Sequence, residues 1–206
     1  MTNKTLSSIN EQDIQRFDRW AASYERSVFQ KVFFGPIHTQ MLGFFQREGP
    51  KETPGTILDV GCGTGRLLRA ASVRWPEAHL LGVDPAEHMI TEAARLNPKA
   101  TFQLSPAEVL PFPDHSADLV FSSISFHHWK DQQTGIQEIA RVLRPGGWFC
   151  LGDHVFLLSR LLGENVRSGE EVRRYMKNAN LTVCKQKLLG VLFVLITLSQ
   201  KPAINQ

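Results

Sequence analysis

The 206-residue sequence has little of what marks a secreted, metal-clustered or membrane-spanning chain. It holds three cysteines, Cys62, Cys150 and Cys184. They are odd in number, far apart and without C-x-x-C spacing. That argues against a disulfide framework or a zinc ribbon and favours a reducing compartment. No metal site is expected. Long apolar runs are also scarce. The longest, residues 188–198, is about half of what a bilayer-crossing helix needs, and a buried strand pair explains it better. Residues 1–12 are polar and lack the apolar core of a signal peptide. The expectation is a cytoplasmic protein with no membrane association. Excess charge of one sign is missing too: Lys and Arg number 23, Asp and Glu 20, for a net charge of +3. The basic residues occur as scattered pairs such as Arg173-Arg174, so no nucleic-acid partner is expected. There are no repeats and no low-complexity segments. The 42% hydrophobic content is enough for a core at this length, which suggests one domain with at most a small addition.

What is present is organised around Ile57-Leu58-Asp59-Val60-Gly61-Cys62-Gly63-Thr64-Gly65-Arg66-Leu67-Leu68. An apolar run carries an acid near its end, three glycines alternate, and a helical pattern begins. This is a strand, a tight turn and a helix start. Glycine tolerates positive φ and lets the backbone approach a ligand closely. The helix start adds unpaired N–H groups. A dinucleotide fingerprint would read G-x-G-x-x-G, but here Arg66 stands at the third glycine's place. Asp59, two residues before Gly61, would repel a pyrophosphate. It suits a ligand with a cationic amine and no phosphate. Cys62 is read as a small packing residue of the turn, in preference to a redox group.

The stretch resembles the first motif of the class I S-adenosylmethionine-dependent methyltransferases, in their small-molecule, methyltransferase type 11-like branch. The resemblance covers about residues 56–200. It implies a Rossmann-like three-layer α/β sandwich. Its sheet would have seven mostly parallel strands with an antiparallel last strand, beneath an N-terminal helical cap. Residues 1–50 would be the cap or lid and residues 51–206 the cofactor-binding domain. Phe17-Asp18-Arg19-Trp20-Ala21-Ala22-Ser23-Tyr24 looks like the family's N-terminal segment, which supports a lid using Trp20 and Tyr24. Two helices packed on the sheet edge are the plainer alternative. Helical spacing appears at Ile14, Phe17, Trp20, Ala21 and Tyr24, and again over residues 32–45.

The core elements follow in order. Strands are expected at 56–60, 79–83, 100–104, 117–122, 148–152, 181–188 and 191–199. Helices are expected at 65–74, after Pro85, at 132–143 and at 168–178, with Ser168 as N-cap. Arg144-Pro145-Gly146-Gly147 is a helix stop. Residues 153–167 read equally as helix, loop or substrate wall.

Asp84 ends the second strand, 19 residues after Gly65. A βαβ unit brings that position beside the end of strand one, where a carboxylate can accept bonds from ribose hydroxyls. The alternative is an N-cap, with Pro85 opening the helix. By resemblance, Met89 packs on adenine. Ser105-Pro106-Ala107-Glu108 would be the adenine loop, with Ala107 meeting the ring. Pro106 stands where the family usually has an acid, and proline offers neither acceptor side chain nor N–H. Ser122 to Trp129 should border cofactor and substrate at the carboxyl end of strand four. His127 is preferred over His128 as the group facing the acceptor, with Tyr24 second, against a packing role for both histidines.

The resemblance thus implies methyl transfer from S-adenosylmethionine, leaving S-adenosylhomocysteine, to a small-molecule acceptor. The expected cofactor set is Asp59, Gly61, Cys62, Gly63, Gly65, Asp84, Pro85, Met89, Pro106, Ala107 and Ser122. A cofactor-binding protein without transferase activity is the alternative, and Pro106 gives it weight. The oligomeric state is not legible.

Overall fold

The structure is a computed structural model that describes residues 14–16, 18–19, 34–155, 165–190 and 193–203. Tyr24, Trp20 and most of the expected cap lie outside the described residues, as do 156–164. After helical residues at 14–16 and 18–19, the first bounded element is α1 (Gly35–Glu48), and the chain then alternates through β1 (Thr56–Val60), α2 (Arg66–Arg74), β2 (His79–Asp84) and α3 (Glu87–Leu96). It continues with β3 (Thr101–Leu104), β4 (Ala117–Ser123), α4 (Gln132–Val142) and β5 (Leu143–His154). It closes with α5 (Gly169–Asn178), β6 (Thr182–Leu189) and β7 (Val194–Gln200).

The strands form one seven-stranded sheet in the order β3-β2-β1-β4-β5-β7-β6. β1 to β5 pair in parallel, while β7 runs antiparallel to both β5 and β6. The seven-stranded, mostly parallel sheet is therefore as expected from sequence. Order reverses between β1 and β4, and in an open parallel sheet ligands bind at that switch, outside the carboxyl ends.

Each sheet face buries one helical layer. Ile37, Met41, Phe44 and Phe45 of α1 join Leu67, Leu68 and Ala71 of α2 against Ile57, Phe121 and Cys150. On the other face Ile136 and Ile139 of α4, with Val172 and Met176 of α5, pack on Leu58, Val120 and Phe149. Burial on both faces explains why the central strands read as continuous apolar runs. Close packing is visible at Gly152, where an added Cβ would lie 2.5 Å from the Met41 sulfur.

Local signals set the boundaries. Ser168 caps α5 in a reciprocal box with Glu171. Asp131 caps α4 by accepting from the Gln133 and Thr134 amides at 3.0 and 3.1 Å. Lys201 closes the other end of α4, donating to the Ala140 and Leu143 carbonyls, each at 2.7 Å. That places a cation where helix carbonyls are unpaired.

Two expectations need correction. β5 is longer than 148–152. Its ladder starts at Leu143, which pairs with Ala117, passes the Pro145-Gly146-Gly147 irregularity, and ends at His154 opposite Val194. Asp153 and His154 are therefore strand residues with fixed direction. The N-cap reading of Asp84 also fails, because α3 starts at Glu87 with Ala86 as its N-cap. Pro85 precedes the helix, and Asp84 is left to the site.

Candidate active site

The glycine turn is built by close contacts. Gly61, Gly63 and Gly65 all have positive φ, at 74°, 50° and 73°. At Gly61 a Cβ would stand 2.2 Å from Ser125 Oγ, and at Gly65 it would meet the Phe102 ring at 2.9 Å. At Gly63 nothing lies within 4 Å, so that part of the turn faces open space. Ser125 ties three elements together. Its hydroxyl donates to the Val60 carbonyl at 3.1 Å, lies 3.0 Å from Ser122 Oγ, and accepts from Trp129 Nε1 at 3.2 Å.

The turn opens onto a cleft holding about 1040 Å³ of empty space, part of it continuous with solvent. Asp59, Gly61, Cys62 and Gly63 line one side, with Asp84, Pro85, Ala86 and Met89 beside them. Pro106, Ala107 and Glu108 form a second wall. Ser123, Ile124, Ser125, His128 and Trp129 form the third, and Ile14, Phe34 and His38 close over it. The last three come from N-terminal chain. Asp18 anchors that segment, accepting from the His88 amide at 2.8 Å and pairing with His88 Nδ1 at 2.9 Å.

Two acids face each other across the turn. Asp59 is buried, with 2% of its surface exposed, and its Oδ1 has no hydrogen-bond partner among the described residues. Burial, and next the neighbouring Asp84 charge, push its carboxyl up to about 8. Asp84 is raised to about 6 by burial, against the lowering effect of its bonds from the Ala86 and Gly63 amides at 3.0 and 2.9 Å. Those amides use two of about four lone-pair sites, leaving the others for a ligand. Burial, and then both acids, hold the Cys62 thiol protonated. A buried pair of acids, with Asp59 Oδ1 unpartnered among the described residues, is what a cationic, hydroxyl-rich ligand would relieve. The site therefore fits the ammonium and ribose of S-adenosylmethionine.

The loop wall is held from behind. Arg141 donates to the Leu110 and Phe112 carbonyls at 2.9 and 2.8 Å and to Glu138 at 2.7 Å. Glu138 in turn accepts from the Leu110 amide at 2.8 Å. Glu108 accepts from the Asp131 amide at 2.8 Å, fixing the loop to the start of α4.

Ten of the eleven expected cofactor residues have a place at the turn or the cleft: nine line the cleft, and Gly65 supports the turn from below. Ser122 does not. It is fully buried behind the wall, and its neighbour Ser123 reaches the cleft instead. His127 also needs correction. It does not line the cleft; its Nδ1 binds Asp153 at 2.9 Å, and its backbone amide donates to the same carboxylate at 2.8 Å. His128 is the histidine at the cleft. The His-His pair was visible in sequence, but its facing was not. It depends on the one-turn helix at Phe126–His128. Asp153 was missed because nothing local separates a strand-end acid from a loop acid.

The fold and the paired acids define a cofactor-binding domain of the S-adenosylmethionine type. Comparison with known proteins supplies the family. Residues 58–151 match the model of a methyltransferase domain. A malonyl-[acyl-carrier protein] O-methyltransferase of Hahella chejuensis is 39% identical over 170 residues, covering 79% of this chain and 57% of the relative. YcgJ of Bacillus subtilis, an uncharacterized methyltransferase, is 36% identical over 130 residues, 61% of this chain and 49% of its own. Among solved structures, the methyltransferase bound to the Haloferax volcanii Trm112 activator superposes with a TM-score of 0.75 at 23% identity, covering 90% of this chain and 97% of that one. The matched domain belongs to the class I S-adenosylmethionine-dependent methyltransferases, and S-adenosylmethionine is its cofactor. The chain spans about half the length of the curated relatives it matches.

Proposed function

We propose that this protein transfers the methyl group of S-adenosylmethionine to a small-molecule acceptor. The observation that carries the reading is Asp59 Oδ1, a buried acceptor with no partner among the described residues, on a side chain lining a cleft walled by a glycine turn. When bound, the cofactor supplies a methyl group already activated on a cationic sulfur. The protein's task is then alignment and exclusion of water, and positioning alone can lower such barriers by several kcal/mol.

Asp59 holds the ammonium, and Gly61 and Gly63 let the backbone approach the methionine portion. Asp84 accepts from the ribose hydroxyls. Met89 packs on the adenine, whose edge meets Pro106 and Ala107. Pro106 offers no acid to the adenine amino group, so shape and stacking carry more of the recognition there. His128, Trp129 and the N-terminal residues Ile14, Phe34 and His38 border the acceptor side. Trp129 is held by Ser125, which fixes the floor on which an acceptor rests. Where the acceptor arrives protonated, the His128 imidazole is placed to take the proton. Where it arrives as a carboxylate, no base is needed and His128 only positions it.

Several relatives are malonyl-[acyl-carrier protein] O-methyltransferases. A malonyl thioester, whose free carboxylate is methylated, is therefore the first acceptor to assay. The test is calorimetric titration with S-adenosylmethionine and S-adenosylhomocysteine, followed by turnover on malonyl thioesters and a panel of hydroxyl and amine acceptors. Micromolar binding of both ligands with turnover on one acceptor class is the expected result. Binding without turnover across the panel reassigns the chain to a cofactor-binding protein without transferase activity. Failure to bind either ligand overturns the reading.

A further inference from the structure

Outside the cleft, one cluster of chemistry-bearing side chains has no part in cofactor binding. His127, Asp153 and His154 gather where the turn after β4 meets the end of β5. Their ligating atoms all lie within 4.8 Å of one another. His127 Nδ1 is 2.9 Å from Asp153 Oδ1, and His154 Nδ1 is 3.2 Å from the same oxygen. The side chains are mostly buried: His127 and Asp153 are each 9% exposed, His154 19%.

We propose that these three residues form a binding site for a divalent transition-metal ion of the zinc type. The spacing supports it. Metal–nitrogen and metal–oxygen bonds of about 2.1 Å set neighbouring ligand atoms roughly 3.0 Å apart in an octahedron and 3.4 Å in a tetrahedron. The two histidine-to-carboxylate separations fall at and within those limits. The donor set supports it as well. Two imidazoles and one carboxylate suit zinc, iron, cobalt or manganese, whereas magnesium and calcium take oxygen ligands.

The outer support that metal ligands need is already in place. The Asp153 carboxylate accepts from the backbone amides of His127 and His154, each at 2.8 Å. Such bonds orient a ligating carboxylate and leave lone pairs for the ion. The rings are held too: that of His127 lies 4.2 Å from that of His154 and 3.9 Å from that of His128. A small pocket beside Asp153 and His154, lined also by Phe126, Arg167 and Thr197, has room for about one water as a further ligand. An ion here would clamp the turn after β4 to β5. It would also fix the ring against which His128 packs at a tilt, and His128 borders the cleft.

The competing account is a purely structural network, in which both Nδ1–H groups donate to Asp153. The two accounts differ on metal. The test uses the full chain, stripped with a chelator and titrated with Co²⁺ alone, read by visible absorption, and with Zn²⁺ in competition against a chromophoric chelator. The expected result is one equivalent bound per chain, displaced by zinc, with a metal-dependent rise in melting temperature. His154→Ala and the near-isosteric Asp153→Asn should each weaken binding at least tenfold, and circular dichroism checks that the variants fold. His79→Ala, on the distant start of β2, should leave binding unchanged. No binding overturns the proposal. So does binding that persists in both site variants, which would place the ion on other surface histidines. Cofactor affinity is read separately by calorimetry, so failure here leaves the methyltransferase reading standing.

Discussion

Cofactor binding should be coupled to proton release through Asp59. In the ligand-free protein its carboxyl titrates at about 8, because burial and the nearby Asp84 penalise the anion. The ligand's ammonium needs the anion. Below that value, binding must first expel a proton. Between pH 6 and pH 7 the ionised fraction of a group at about 8 rises from about 1% to about 9%. The association constant should therefore climb roughly ninefold, or about 1.3 kcal/mol, over that one unit. Asp84, at about 6, adds a smaller rise over the same range. The gain ends near pH 8, where an α-amino group of about 7.7–8.0 has lost at least half of its own charge. The assay is calorimetry with S-adenosylmethionine at several pH values, in two buffers of different ionisation enthalpy. It should count close to one proton released per binding event at pH 7, and more at pH 6, where Asp84 is about half protonated. Asp59→Asn should bind at least tenfold more weakly at pH 8 and keep only the smaller rise that comes from Asp84. An affinity that is flat from pH 6 to pH 8, with no buffer dependence, would refute the reasoning.

The same shift predicts stability. The folded value of Asp59 lies above its unfolded value near 4, so the folded state retains a proton that the unfolded state releases. Ligand-free protein should lose stability as pH rises from about 4 to 8, and thermal melts of Asp59→Asn should lack that component. Asp84→Ala should weaken cofactor binding about a hundredfold; near-normal affinity would remove the ribose assignment. Gly61→Ala puts a Cβ 2.2 Å from Ser125 Oγ at a φ of 74°. It should cost about 2–4 kcal/mol in denaturant unfolding, partly recovered by Ser125→Gly in the same chain. Arg141→Met strips two loop carbonyls and Glu138 of their donor. It should cost about 2 kcal/mol and weaken cofactor affinity by loosening the Pro106-Ala107 wall, a loss that equal affinity in both proteins would exclude.

The sequence alone determined the strand-turn-helix at 56–74, because its glycines, its acid and its apolar run are local signals with local causes. It also located Asp84, because a βαβ unit of that length returns its second strand beside its first. The apolar run of the last strand was legible as a strand covered on both faces, whereas the strand order came from the fold. The loop wall at Pro106 and Ala107 was legible through resemblance. Tertiary structure decided what depends on direction and distance. Adjacent residues in a short turn diverge, so only the fold shows that His128 meets the cleft while His127 turns to Asp153. Ser122 and Ser123 divide the same way, since neighbouring strand residues point to opposite faces. Asp153 and His154 lie 26 and 27 residues beyond His127, and no periodicity links them. They meet because β5 pairs in parallel with β4 and extends past it to His154.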